Sequence, residues 1–323
     1  MVRTFLCKQF KKDIQKRNYF TNTSSKFISN SLNPWQVTGF SDAESSFTIT
    51  FVKNKALKTG YFIQPSFQIN LAKNDLALLE KIKSFFKEVG TITNSGLNST
   101  MYRVRSLNKL NNIILPHFNE YPLKTQKQAD YNLFLLIVDL LNKKEHLTLE
   151  GIRKILSIKA SMNNGLNETI KADFPNIIPV LRENIESKDL NPHWINGFIE
   201  GEGSFWISII KKNNTTSRLT PNLVFQITQH ERDINLIKSF IEYFGCGRIK
   251  KEKSIVNFIV SNFSDIENKI VPFFTNYPLQ GAKALNLIDF LKTVDIIKTK
   301  RHLTKDGMEE ILNIKARMNR KRK

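Results

Sequence analysis

A chain of 323 residues has room for about two domains, each able to bury its own core, and a hydrophobic share of 41% excludes general disorder. A net charge of +20 and a pI near 9.8 call for a polyanionic partner. The longest apolar run, Leu133 to Val138, falls far short of the ~20 residues a membrane span requires, so nucleic acid is favoured over a membrane.

Cys7 and Cys246 lie in unrelated contexts without metal-ligand spacing, which argues against a disulfide or zinc framework and fits a reducing compartment. Abundant Lys, Asn, Ile and Phe beside few Ala and Gly read like translation of an AT-rich gene, which suits an organellar or intron-borne reading frame.

Residues 1–30 are basic, contain Ser and Thr, and hold one acid, Asp13, as an organellar presequence or a plain basic arm would. Asn33-Pro34 then starts a helix: Asn accepts from a free backbone N–H, and Pro fills a position with no N–H partner to lose. Gln36 is placed to complete a capping box. The helix runs about ten residues, roughly 15 Å, and ends in Asp42 and Glu44.

Phe47, Ile49 and Phe51 next alternate with Thr48 and Thr50 as a strand. Over residues 61–71, Ile63, Pro65, Phe67, Ile69 and Leu71 share one face and Gln64, Ser66, Gln68 and Asn70 the other. Amides and a hydroxyl are groups that read base edges in a major groove. An amphipathic helix is expected over 73–88, stopped by Gly90, then strands near 91–93 and 101–105, the second carrying Arg103 and Arg105 opposite Tyr102 and Val104. Helices over 107–115, stopped by Pro116, over 125–142, and over 148–162, capped by Thr148, complete the half. Residues 163–190, with Gly165, Pro175 and Pro179, lack strong periodicity and read as a linker.

From Asn191 the pattern repeats. Gly39 maps to Gly197 and Phe67 to Phe225 at an offset of 158, whereas Tyr121 maps to Tyr277 and His146 to His302 at 156. The drift implies two single-residue deletions in turns or at helix ends. A repeat of about 157 residues is a duplicated domain, residues 31–162 and 191–320, and its pseudo-twofold symmetry suits duplex DNA.

At the centre of the repeat, both helices end in acids, Asp42 and Glu44 or Glu200 and Glu202. Carboxylates at the negative end of a helix dipole lose typically about 0.3–1 kcal/mol each, so the repetition calls for a cation not written in the sequence. Small residues, Thr38, Gly39 and Ala43 in one helix and Asn196, Gly197 and Gly201 in the other, permit close packing, with Thr38, Gly39, Asn196 and Gly197 as the interface. Glu44 and Glu202 would then meet, and two facing carboxylates suit a hard divalent ion such as Mg²⁺. Asp42 and Glu200, two positions earlier, point elsewhere and read as local hydrogen-bond acceptors.

Val37-Thr38-Gly39-Phe40-Ser41-Asp42-Ala43-Glu44-Ser45 and Ile195-Asn196-Gly197-Phe198-Ile199-Glu200-Gly201-Glu202-Gly203 resemble the two motifs of a single-chain LAGLIDADG homing endonuclease of the organellar, intron-encoded type. The resemblance spans residues 31–320 and implies an α+β fold: two pseudo-symmetric domains, each a saddle-shaped antiparallel sheet backed by helices, joined by a central two-helix interface. It implies a monomer that hydrolyses one phosphodiester in each strand of double-stranded DNA, leaving short 3′ overhangs. Mg²⁺, with Mn²⁺ or Ca²⁺ able to take the same place, would be held by Glu44, Glu202 and the backbone carbonyls of Ala43 and Gly201. Gln229, an amide on the apolar parity of Leu223, Phe225 and Ile227, would lie near the metal, where the first repeat has Leu71. Lys127 and Lys283 would reach the cleavage site, with Lys124 a competitor. His146 and His302 read as structural.

Base and backbone contacts are expected from Thr48, Thr50, Gln64, Ser66, Gln68, Asn70, Arg103 and Arg105 in the first half and Ser208, Asn222, Gln226, Thr228, Arg248 and Lys250 in the second. Some members of this family are RNA-binding maturases, so the chain's own intron RNA is an alternative partner, and a mitochondrial location accompanies the intron-encoded type.

Overall fold

The computed structural model describes residues 32–187, 189–211 and 219–319; the expected presequence or arm, residues 1–30, lies outside them. Asn33 is extended (φ −69°, ψ 140°) and caps helix α1 (Pro34–Glu44) by accepting from the Trp35 N–H at 2.9 Å. The capping box does not form. Gln36 donates instead to Asn196 Oδ1 in the other half at 2.8 Å, since a buried amide oxygen at an interface needs a donor that water cannot supply.

The chain passes directly into β1 (Ser45–Lys53), then β2 (Tyr61–Ala72), α2 (Leu76–Phe85), β3 (Thr91–Asn94) and β4 (Ser99–Val104), forming an antiparallel sheet in the order β1-β2-β4-β3. Arg105 lies just past β4. The register pairs Phe47 with Phe67 and Ile69 with Tyr102, which puts the apolar parity on one face, buried at its centre and partly buried at Phe51 and Leu71. Helices α3 (Leu115–Glu120), α4 (Lys127–Asn142) and α5 (Leu149–Ala160) follow. The Phe47 ring meets Phe118 of α3 at 5.3 Å and Phe134 of α4 at 5.4 Å, and burying each such aromatic contributes ~1.5–3 kcal/mol.

Pro116 does not stop its helix. A helical turn, Leu107–Lys109, runs into a π turn, Leu110–Ile114, and α3 then carries Pro116 in its first two positions. The wider turn restarts the helix, so the missing N–H of Pro falls where no partner is required. The second half repeats the device with Ile266–Ile270 before Pro272.

The expected linker is also more than a connection. It contains α6 (Glu168–Asp173), buries Ile170 and Phe174, and returns along α5 with Val180 N–H bonded to Ser157 O at 3.2 Å and Arg182 paired with Asp130. One buried apolar residue on a six-residue helix, with a second at its C-cap, is too little to show a period.

The second half comprises α7 (Pro192–Glu202), β5 (Gly203–Lys211), β6 (Leu219–His230), α8 (Ile234–Phe244), β7 (Arg248–Glu252), β8 (Ile255–Val260), α9 (Val271–Asn276), α10 (Lys283–Lys298) and α11 (Lys305–Arg317), with strand order β5-β6-β8-β7. The two deletions are visible. Gly90 and Gly247, equivalent positions preceding β3 and β7, differ by 157, and Arg103 and Ile259, which pair with Gln68 and Gln226, by 156. One residue is therefore lost in the turn after the helix and one in the hairpin that follows.

The halves meet through α1 and α7. A Cβ on Gly39 would lie 2.0 Å from the Trp194 carbonyl oxygen, and one on Gly197 would lie 2.0 Å from that of Gln36. The backbones themselves are in contact. Thr38, expected in this interface, instead donates to Tyr121 O of its own half at 3.0 Å and meets His117 Nε2 at 3.1 Å. Asn196 serves both sides, accepting from Gln36 and donating to Tyr277 O. Gly39→Ala and Gly197→Ala should each lower stability by at least ~1–3 kcal/mol in urea unfolding, because backbone cannot yield to the added methyl.

Candidate active site

The helix contact carries both motif C-termini to one place. A Cβ on Gly201, the neighbour of Glu202, would fall 2.3 Å from the Ala43 side chain and 3.0 Å from Glu44 Oε1. Burial pushes Glu202 up to about 7, and the Glu44 charge beside it adds to the rise. Burial likewise holds Glu44 above the usual carboxylate range, opposed by Lys283 and Lys127.

The cation sought from outside is, in part, in the chain. Lys127, the first residue of α4, donates to Ser41 O at 2.9 Å and Ala43 O at 3.4 Å. Lys283, the first residue of α10, donates to Ile199 O at 3.1 Å and Gly201 O at 2.6 Å. Two ammonium groups thus satisfy the last carbonyls of the motif helices and offset the dipole against which the glutamates stand. Burial pulls Lys127 down to about 8 against the pull of Asp42, Glu202 and Glu44, and lowers Lys283 as well. The carbonyls of Ala43 and Gly201 are therefore lysine acceptors in this structure, each with a second lone pair left. Lys124 is elsewhere, its ammonium 5.3 Å from the Trp35 ring centre.

Asp42 and Glu200 are not local acceptors. Asp42 takes the Lys124 N–H at 2.7 Å, the Thr125 N–H at 3.2 Å and hydroxyl at 2.6 Å, and the Trp194 indole N–H of the other half at 2.7 Å. Glu200 takes the Gln280 and Gly281 N–H groups at 2.7 and 3.0 Å. A buried carboxylate needs several donors, and the N-termini of the long helices supply them.

Gln229 Nε2 lies 3.4 Å from Glu202 Oε1, so its polar intrusion into an apolar parity serves the site. His146 and His302 sit in short turns before α5 and α11, outside this cluster. Among the described residues no group of three or more His, Cys, Asp or Glu side chains is arranged to hold a metal, and no lysine pairs with Glu44 or Glu202 within 4.0 Å. Two carboxylates with free oxygens suit an ion that keeps water and phosphate among its ligands, as Mg²⁺ and Ca²⁺ do.

The model of the LAGLIDADG endonuclease family matches residues 37–138 and 195–294, and each match begins within one of the two motif helices and contains its acidic end. The chain belongs to the LAGLIDADG endonuclease family. It is 39% identical over 322 residues to probable intron-encoded endonuclease 2 of Neurospora crassa, covering 94% of this chain and 70% of that protein. It is also 39% identical over 287 residues to probable intron-encoded endonuclease 3 of the same fungus, covering 87% of this chain and 53% of that one. Its fold matches the I-SmaMI LAGLIDADG homing endonuclease bound to cleaved DNA, with a TM-score of 0.88 and 43% identity over 91% of this chain and 99% of that one. It matches I-GzeII in complex with its DNA target at 0.84 and 42%, over 91% and 100%.

In this LAGLIDADG protein the sheet faces away from the helices carry the expected polar residues, several already bonded to one another. Thr48 and Ser66 are 2.7 Å apart, with Ser66 buried; Arg103 Nε donates to Gln68 at 3.1 Å; Asn70 accepts from Ser95. Gln64 donates to the Arg105 carbonyl at 3.0 Å, and Thr50 is exposed. In the second sheet Asn222 donates to Ser208 at 3.2 Å, Arg248 to Ser261 at 2.9 Å, and Lys250 pairs with Glu252. Gln226 and Thr228 both donate to Asn257 Oδ1, at 2.9 and 2.8 Å. Asn257 escaped the sequence reading because the first half has Met101 at its register position.

Asp75 and Asp233 also escaped it, although they correspond at the repeat offset (233 − 75 = 158). In the metal-free protein, carboxyl NMR should find Glu202 titrating near 7. Glu44→Gln should move it down by removing a like charge, and Lys127→Met should move it up by removing an opposite one.

Proposed function

We propose that the protein is a site-specific double-strand DNA endonuclease, acting as a monomer and hydrolysing one phosphodiester in each strand. The observation that carries this reading is the meeting of Glu44 and Glu202, from equivalent helix ends, beside two half-buried lysines. The hard oxygen donors of the two glutamates, with the remaining lone pairs of the Ala43 and Gly201 carbonyls, fit Mg²⁺, and Mn²⁺ or Ca²⁺ fit the same donors. A similar structure is that of I-SmaMI bound to uncleaved DNA target in the presence of calcium ions, which is consistent with use of a divalent ion. When bound, the ion would supply polarisation of the phosphate and of the attacking water.

The chain's own residues do the rest. Glu44 and Glu202, kept out of ion pairs, would face the ion, whose positive charge favours their ionised forms against the burial that raises their pKa values. Lys127 and Lys283, pinned by the helix-end carbonyls, hold positive charge near the scissile phosphates, where charge develops in the transition state. Gln229 orients Glu202 on one side only, since Leu71 stands opposite, so the two strands meet unequal surroundings. The +20 net charge supplies salt-dependent affinity, and the polar sheet residues supply base choice. Two relatives of Neurospora crassa are named as intron-encoded endonucleases, and another relative is an uncharacterized mitochondrial protein of Saccharomyces cerevisiae, which together favour a mitochondrial, intron-encoded origin.

The test is cleavage of duplexes selected from a randomised library, with Mg²⁺. Wild type should cut both strands, while Glu44→Gln and Glu202→Gln should lose cleavage by two orders of magnitude or more, ~10²-fold, and keep DNA affinity. Failure of the wild type to nick any bound duplex would move the assignment to an RNA-binding maturase or a cleavage-dead DNA-binding protein.

A further inference from the structure

We propose that Asp75 and Asp233 are reciprocal positioning residues: each crosses the domain interface and fixes the start of the opposite half's long helix, and with it the lysine that helix brings to the site. The proposal rests on the endonuclease reading. Asp75 ends the short turn after β2, and its Oδ1 accepts from Ala282 N–H at 2.7 Å. Asp233 ends the equivalent turn after β6, and its Oδ1 accepts from Gln126 N–H at 2.7 Å. Ala282 and Gln126 immediately precede Lys283 and Lys127.

Three consecutive amides at each helix start are thus divided between the halves. Glu200 takes Gln280 and Gly281 and leaves Ala282 to Asp75; Asp42 takes Lys124 and Thr125 and leaves Gln126 to Asp233. Such amides have no partner within the helix and attract carboxylates. Asp233 is 4% exposed, its Oδ2 lacks a hydrogen-bond partner and its nearest cation is Arg232 Nε at 3.6 Å. A half-satisfied buried carboxylate is a poor choice for stability alone, whereas a clamp on the lysine-bearing helix needs one. Lys81 reaches Gln280 Oε1 at 2.8 Å and adds a second link across the same junction. A foreign domain therefore closes each lysine site, and the lysine is in place only when the halves are correctly apposed.

Strand-resolved cleavage of a selected duplex, labelled on either strand, tests this with Asp75→Ala, Asp233→Ala and the two Asp→Asn variants, whose remaining Oδ1 still accepts the amide. Each Ala variant should slow one strand by roughly 10–100-fold, opposite strands in the two variants, with DNA affinity and melting temperature close to wild type; the Asn variants should recover most of the rate. In the absence of DNA, Asp75→Ala should speed amide exchange at Ala282 by about tenfold and raise the acylation rate of Lys283, leaving Gln126 and Lys127 unchanged, and Asp233→Ala should do the reverse. Equal slowing of both strands in each variant, or unaltered exchange and acylation at the opposite helix, would overturn the proposal. If wild type cuts nothing, the endonuclease reading fails on its own, and the exchange and acylation results still decide whether the clamp exists.

Discussion

The contact between the backbones of α1 and α7 sets the spacing of the two halves and, through it, the spacing of Glu44 and Glu202. Gly39 faces the Trp194 carbonyl and Gly197 faces that of Gln36, so neither helix can withdraw or rotate without opening a void where side chains are absent. A glycine in a helix interior costs about 1 kcal/mol relative to alanine, which the molecule accepts twice in return for this approach. The buried aromatics around Phe47 and Phe205 then anchor each motif helix's following strand to its own domain, so the interface geometry is transmitted to both sheets.

Bringing two glutamates to the negative ends of two helices would be unfavourable without compensation. The compensation is distributed rather than paired: the lysines bond carbonyls, not carboxylates, so they relieve the helix ends while leaving the glutamate oxygens free for other ligands. Asp42 and Glu200 neutralise the opposite problem, the unsatisfied amides at the starts of α4 and α10. The result is a cluster of opposed charges in which both lysines, Asp42 and Glu200 are held by hydrogen bonds, while Glu44 and Glu202 stay out of ion pairs.

The pseudo-symmetry is incomplete in ways that bear on chemistry. Gln229 contacts Glu202 while Leu71 occupies the equivalent place, Asn257 bonds Gln226 and Thr228 where the first sheet has Met101, and Asp233 is buried while Asp75 is half-buried. Two strands of a duplex presented to these halves would meet different surroundings, as expected of a duplicated gene whose copies have diverged to read a target without perfect twofold symmetry.

Periodicity, the repeat offsets and the Asn-Pro helix starts determined the strands, the duplication and the two glutamates from the sequence alone, because these depend on neighbours a few residues away or on a pattern written twice. The pairing of Lys127 and Lys283 could be located by correspondence, but their acceptors could not, since the carbonyls lie more than eighty residues away and carry no sequence signature. Only the tertiary structure decided that Gln36 reaches Asn196 instead of its own cap, that Thr38 turns inward to His117, that Pro116 follows a π turn, and that Asp75 and Asp233 cap helices of the opposite half. For Gln36, Thr38, Asp75 and Asp233 the arrangement that prevailed satisfies a polar group or backbone amide that only the folded chain brings within reach.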